Sequence, residues 1–221
     1  MTSVFLSSSL ALALALGASP LTADVTAELA KLTENAARDV QIALANTAAS
    51  AAEALGVDPV LLRTLVNRHP RVALLEPGVG VGGHCLPVDP WFVIDAAPAE
   101  TALLRVAREV NDARPGLWAD RIARAADRAA TKRIGLLGLT YKADTDDVRG
   151  SPAVEIARRL GERYDVLAAD PYARQVDGIR LGTEDEVRAR GVVALLVAHR
   201  AYAARGAPTG PVVVDACGGW R

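Results

Sequence analysis

Aromatic side chains make up only 4% of this 221-residue sequence, too few for the core of an all-β sandwich, while abundant alanine favours close-packed helices. Neither sign of charge is in excess. The 25 basic and 26 acidic residues are intermixed for a formal net charge of -1, so nothing marks a nucleic-acid surface or another polyanionic partner. Cysteine is nearly absent: Cys85 and Cys217 cannot build a disulfide framework, and the composition fits a reducing cytoplasm. No hydrophobic run is long enough to span a bilayer. The closest is Leu10 to Leu16, inside a serine-edged apolar stretch over residues 1–22. A secretory signal is a rival reading, because small residues follow at Gly17, Ala18 and Ser19. The basic n-region is missing, however, with nothing basic before Lys31. A remnant or a misassigned start is the other reading. The length suits one large or two small domains, and two are expected.

The stretch that carries chemistry runs from Gly78 to Phe92 and places Cys85 directly after a glycine-rich turn, with Asp89 four residues later. A thiol works as a covalent catalyst when its thiolate is accessible and backbone donors crowd the oxyanion it creates. The plain alternative is a buried structural cysteine in a glycine turn. Gly78, Gly80 and Gly83 have dinucleotide-fingerprint spacing, but that motif must follow a strand and open a helix. Pro77, Pro87 and Pro90 flank the run, and no helix is expected to begin through it.

Taken in order, residues 26–55 read as one helix, with Asp24 or Thr26 as cap and Gly56 as stop. Lys31, Asn35, Arg38 and Ile42 fall on one stripe of it, which on periodicity alone is a solvated face. Asp58-Pro59 opens a second helix with Leu61, Leu62, Leu65 and Val66 on its apolar face, ending near Asn67. The basic turn Arg68 to Arg71 is either surface or an anion grip. Pro98 opens a helical stretch with a stripe of Leu103, Val106, Ala107 and Val110. Trp118, Ile122 and Ala125 continue it beyond Pro115-Gly116, which should kink or break it. The charges over residues 119–128 are expected to face water.

From Arg133 onward, apolar runs at 134–139, 166–169, 192–197 and 212–215 alternate with helices at 152–161 and 183–190. Such alternation implies a parallel sheet covered on both faces, with ligands beyond the carboxyl ends of its strands. The loop from Tyr141 to Pro152 then lies at a binding edge, although on its residues alone it is an acidic surface loop without pyrophosphate-binding glycines. The fold class is α/β. Residues 25–130 are read as a helical domain containing the cysteine loop and 131–221 as a Rossmann-like parallel-sheet domain, with residues 1–24 a disordered leader or remnant.

The segment Gly80-Val-Gly-Gly-His-Cys-Leu-Pro-Val-Asp-Pro-Trp-Phe92 resembles the active-site loop of the UDP-glucose/GDP-mannose dehydrogenase family. These nucleotide-sugar 6-dehydrogenases oxidise a sugar CH2OH to a carboxylate, using NAD twice. The His-Cys pair and the Asp-Pro-Trp-Phe ending resemble the branch acting on UDP-N-acetylmannosamine more than the UDP-glucose branch. Similarity extends from Thr26 to Arg221, through Lys31 to Asp39, Tyr141 to Pro152, and a C-terminus that resembles the family's own.

The resemblance implies a catalytic set. Cys85 adds to the aldehyde, Lys31 stabilises the oxyanion, Asn35 hydrogen-bonds it, and Asp89 positions or activates the hydrolytic water. His84, if charged, lowers the thiol pKa. Gly82, Gly83, His84 and Lys142 are implied as contacts of the UDP-sugar. Arg71, with Arg68 as rival match, reaches the substrate across a homodimer interface. Arg149 lies near NAD, although the family's Glu beside it is Gly150 here. No metal is implied. The family's helical domain dimerises and its last domain binds UDP. The family's NAD-binding Rossmann domain has no counterpart in the sequence, so it comes from a separate partner or is lost. A non-catalytic UDP-sugar-binding and dimerisation module is the rival to an enzyme.

Overall fold

Alanine, leucine and long polar residues, the strongest helix formers, build the longest element, α1 (Pro20–Ala54). The computed structural model describes residues 20–220. The expected leader therefore lies outside the described residues over 1–19, and Pro20 to Asp24 are helical rather than disordered. Neither Asp24 nor Thr26 caps the helix, since both lie inside it. Its end is as expected: Gly56 adopts φ 71°, Val57 N–H bonds Ala52 O at 2.8 Å and Gly56 N–H bonds Glu53 O at 3.1 Å, which satisfies two terminal carbonyls.

Helix α2 (Pro59–Val66) starts where Asp58 accepts from Val60 N–H at 2.9 Å, with Pro59 at the first position. Its expected apolar face is not buried within the chain. Helix α3 (Asp89–Ala96) corrects the sequence reading, because it begins inside the proline-bearing run. Pro90 sits in its first turn, where the missing N–H would have had no helical partner. Helix α4 spans Ala102–Arg128, so Pro98 lies before it, and it runs on without a break through the buried Pro115. An interior proline costs about 3 kcal/mol, and here the burial of neighbouring Arg114, Trp118, Ala119 and Ile122 offsets it.

Over the first half of α4 the expected apolar stripe holds only in part, with Ala107 buried and Val110 half-buried. Leu103 and Val106 are exposed, whereas Arg108 and Asn111 are fully buried against α1. Partner positions rise together along the two helices: Asp39 with Arg108, Asn46 with Asn111, Ser50 with Arg114, Glu53 with Arg121. Helices α1 and α4 therefore run parallel over roughly 20 Å. The Glu53–Arg121 pair shows that not every charge at 119–128 faces water alone.

The second half is a four-stranded parallel sheet in the order β2-β1-β3-β4. Its strands are β1 (Arg133–Leu137), β2 (Asp165–Ala169), β3 (Val192–Leu195) and β4 (Val212–Asp215). Helices α5 (Pro152–Gly161), α6 (Glu184–Arg188) and α7 (Arg200–Arg205) make the crossovers. Ser151 caps α5, and Thr183 with Glu186 forms a reciprocal capping box on α6. Helix α7 had no signal beyond one buried aromatic, Tyr202. Trp118, Ile122, Ala125 and Ala126 of α4 share one core with Ile134 and Leu136 of β1, Ile156 of α5 and Val79 of the glycine loop. The loop is thus fastened to the sheet's own core. Because the chain leaves β1 for β2 on one side and reaches β3 on the other, the sheet's switch point lies between the carboxyl ends of β1 and β3.

Candidate active site

The glycine loop between α2 and α3 lies flat against the β1–α5 loop. A Cβ on Gly82 would stand 2.7 Å from Gly150 O and 2.8 Å from both Pro152 Cδ and Tyr141 Cβ. Gly83, at φ 92°, meets the Tyr141 ring in the same way at 3.2 Å. Only glycine allows this approach. The departure at Gly150 belongs to the same contact, since this residue adopts φ 60° and a Cβ there would lie 3.1 Å from Gly83 O.

The approach encloses a cavity of about 450 Å³ lined by Gly80 to Leu86, by Arg38 and Ile42 of α1, and by Tyr141 and Lys142. Cys85 is a free, exposed thiol in its wall. Arg38, His84 and Lys142 are its ionisable cationic groups, and no carboxylate lines it, so the space favours an anion. A second cavity of about 680 Å³ shares Arg38, Ile42 and Gly80 with it.

Past the loop, Cys85 O accepts from Val88 N–H at 3.0 Å and from Asp89 N–H at 2.8 Å, a tight turn that carries the chain into α3. Asp89 occupies the first turn of that helix, where the helix dipole favours a carboxylate. Asn35 Nδ2 donates to Asp89 Oδ2 at 2.5 Å. Lys31 lies one turn earlier on α1 and pairs with Glu34 at 3.1 Å.

Of the residues expected at the site, Gly82, Gly83, His84, Cys85 and Lys142 line one cavity. Asn35 and Asp89 are brought together by their hydrogen bond, and Lys31 lies one turn before Asn35 on α1, but none of these three lines either of the two joined cavities. His84 turns its Nε2 to Asp147 Oδ2 at 3.6 Å, an alternative to the expected action on the thiol. Arg149 does not join the cysteine cavity. It forks onto Asp147 at 2.8 and 2.9 Å and borders a separate cavity with Arg158 and Gln175. Arg149's side-chain hydrogen bonds are the main reason the Asp147 carboxyl is held far below the usual range. Arg71 is exposed in the turn before the loop and lines neither of the two joined cavities.

Sequence reasoning missed Arg38 and Tyr141 as lining residues, and it missed a buried cluster at the switch point. His199, wholly buried, accepts from Asp144 N–H at Nδ1 (2.9 Å), which assigns its proton to Nε2, 3.0 Å from Asp170 Oδ2. Thr140 Oγ1 stands 3.2 Å from the same nitrogen. Burial works to raise the Asp170 carboxyl, but hydrogen bonds from His199 and from Leu139, Tyr172 and Ala173 N–H outweigh it and hold the group below its ordinary value. Polar residues directly after strands were the available signal. This cluster ties together the loops after β1, β2 and β3, including the one that presents Lys142.

Among the described residues no group of three or more His, Cys, Asp or Glu could hold a metal, and no helix is long and apolar enough to cross a membrane. Nor does any strand lead through Gly-x-Gly-x-x-Gly into a helix: Gly78, Gly80 and Gly83 follow no strand, and β1 leads into the loop from Gly138 to Ser151. The described residues thus lack the usual dinucleotide cradle.

Three comparisons bear on this arrangement. The chain is 45% identical over 184 residues to an NDP-N-acetyl-D-galactosaminuronic acid dehydrogenase of Ralstonia solanacearum, a match covering 80% of this chain and 44% of that protein. It is 38% identical over 215 residues to the UDP-N-acetyl-D-mannosamine dehydrogenase of Escherichia coli K12, covering 89% and 51%. The solved structure of the UDP-D-ManNAc dehydrogenase from Pyrococcus horikoshii superposes with a TM-score of 0.78 at 31% identity, covering 90% of this chain and 49% of that one. The chain thus spans about half the length of the relatives it matches. Family models match in two blocks, the central domain of the UDP-glucose/GDP-mannose dehydrogenase family over residues 25–113 and its UDP binding domain over residues 135–220. With the helical block falling in the central-domain match and the parallel sheet in the UDP-binding match, the chain belongs to the UDP-glucose/GDP-mannose dehydrogenase family.

Proposed function

We propose that the protein serves the oxidation of the 6-CH2OH of a UDP-N-acetylhexosamine, UDP-N-acetylmannosamine foremost, to the corresponding uronic acid, with Cys85 as the covalent catalyst. The observation that carries this reading is the single cavity in which the Cys85 loop and Lys142, from two different halves of the chain, face one another. The two dehydrogenase names among the relatives share an N-acetylated hexosamine, which supports the substrate class.

NAD supplies the hydride acceptor when bound, and the described residues lack its usual cradle. The residues of this chain act on the sugar carbon. Cys85 Sγ attacks the C6 aldehyde, forming a C–S bond as the carbonyl oxygen takes the negative charge and then a proton. Lys31 and Asn35 are donors for that oxygen. Asn35 has one N–H committed to Asp89 and a second to offer. Loss of hydride from this carbon, with release of the hydroxyl proton, leaves a thioester. Water, held by Asp89, adds to it, and the C–S bond breaks to release the carboxylate and the thiolate. Lys142 and Arg38 suit the diphosphate, as Arg and Lys do generally. A homodimer accords with the apolar side chains that α1, α2 and α4 leave exposed.

Calorimetry with UDP-N-acetylmannosamine, its galacto isomer, UDP-glucose and GDP-mannose tests the substrate class. The N-acetylated UDP-sugars should bind most tightly, and equal binding of GDP-mannose would remove the uridine and N-acetyl assignments. Binding that persists while oxidation fails, even when the family's dinucleotide-binding domain is supplied, would point instead to a UDP-sugar-binding module without turnover.

A further inference from the structure

Asn35 and Asn46 are eleven residues apart on α1, close to three full turns, so they point from the same side of the helix about 16 Å apart. Arg38 and Ile42, both lining the cavity, lie between them on that side. Asn35 holds Asp89. Asn46 Oδ1 accepts from Gly78 N–H at 2.9 Å. Gly78 and Asp89 bracket the cysteine loop, so the loop is laid along α1 and held at both ends by amide side chains of one helix face.

The grip on Gly78 is completed from α4. Arg114 Nε and Trp118 Nε1 both donate to Gly78 O, at 3.0 and 3.2 Å, so both polar atoms of this backbone unit are held by side chains. Behind Asn46 the chain of bonds continues inward. Asn46 Nδ2 donates to Asn111 Oδ1 at 3.0 Å, and Asn111 Nδ2 donates to Asp39 Oδ1 at 2.9 Å and to Asp39 O at 3.0 Å. Arg108 Nη1 donates to Asp39 Oδ1 at 2.5 Å, and Arg108 Nη2 donates to Asp112. Asp39, Asn46, Arg108 and Asn111 are each about 1% exposed or less. Burial pushes the Asp39 carboxyl upward against the Arg108 charge, and Asp39 Oδ2 and Arg108 Nε have no partner. An apolar contact would join two helices at less desolvation cost. What a connected polar chain provides is one fixed relative placement, because each amide must present its N–H2 and its oxygen in one sense only.

We propose that Asn46 and Asn111, neither of which lines the cavity, are positioning residues that fix the Cys85 loop against α1 by way of Gly78. Their importance for chemistry rests on the reading of Cys85 as the reacting group, but their effect on Cys85 does not. The one amide at position 46 accepts from Gly78 and donates to Asn111. A neutral carboxyl can do both. An ionised carboxyl can only accept, and it faces Asn111 Oδ1 with a lone pair.

The test uses the 221-residue chain and the rate of Cys85 alkylation by iodoacetamide, read by peptide mass spectrometry from about pH 5 to about pH 9. Part-buried Cys217 is the internal standard. Asn46→Leu should change the Cys85 rate roughly threefold or more at every pH while Cys217 is unmoved, since a folded-state displacement, not unfolding, is being read. Asn46→Asp should react like the parent at the acid end and depart from it as the introduced carboxyl ionises, adding an inflection to the ratio of variant to parent rates. A purely structural role predicts a lowered unfolding temperature with no such inflection. Should Asn46→Leu not fold, Asn46→Asp alone decides. Rate profiles for Cys85 that superimpose on the parent's would overturn the proposal. An inflection combined with no sugar-nucleotide oxidation by the chain joined to a dinucleotide-binding domain of its family would leave it standing and count against the proposed function instead.

Discussion

The amide of Asn35 donates to the carboxylate of Asp89 at 2.5 Å, joining the middle of α1 to the first residue of α3, four positions past Cys85. That bond fixes the rotamer of the carboxylate one turn past the thiol and leaves its other oxygen for water. Asp89→Asn should therefore spare addition to Cys85 but slow thioester hydrolysis by about 10²-fold or more. With cofactor domain and substrate supplied, intact-protein mass spectrometry should find an acyl adduct on Cys85 in the variant. Parent-like release of acid would take Asp89 out of the water-handling role.

Lys142 is presented by the loop that the buried His199 holds through Asp144 N–H. A lysine bound to a phosphate contributes about 1.5 to 3 kcal/mol, so Lys142→Ala should weaken UDP binding by roughly tenfold or more in calorimetry. Unchanged affinity would remove Lys142 from the site.

The Asp170 carboxyl is held below its ordinary pKa in the folded state despite its burial. A depressed acid stabilises the fold fully above its unfolded pKa of about 4 and loses that contribution as pH falls through the folded value. Asp170→Asn should cost about 1.5 to 3 kcal/mol at neutral pH, and the gap to the parent should shrink as urea unfolding is repeated at pH values below about 4. A gap that stays constant with pH would contradict the assignment.

Leu29 and Leu44 on α1 and Leu103 and Val106 on α4 are all about half exposed or more. Apolar area of this kind is expected to be covered by a second copy across α1 and residues 98–130. Light scattering at micromolar concentration should give twice the chain mass, and a strictly monomeric mass would contradict the dimer.

Local signals were the legible ones. Asp58-Pro59, Ser151-Pro152 and Thr183 with Glu186 each start a helix through bonds within a few residues, and Gly56 ends α1 in the same way. Helix α3 was hidden because prolines were read as excluding a helix, when a first turn tolerates them. Part of the buried face of α4 was missed because Arg108 and Asn111 look like solvent-facing residues until Asp39 and Asn46, some 70 positions away, supply their partners. The same holds at the site. Cys85 and its glycines announce themselves in one stretch, whereas His199 and Asp170 meet only because the sheet order brings the ends of β2 and β3 to either side of β1.

The most direct measurement joins the chain to a dinucleotide-binding domain of its family and follows NADH absorbance and acid formation from UDP-N-acetylmannosamine. The acid has lost two hydrides from one carbon, and the aldehyde between them must be held covalently. The account predicts acid formation with NADH by the joined protein, no acid from the same protein carrying Cys85→Ala, and no turnover by the 221-residue chain alone. Acid formed at the parent rate by Cys85→Ala would contradict it.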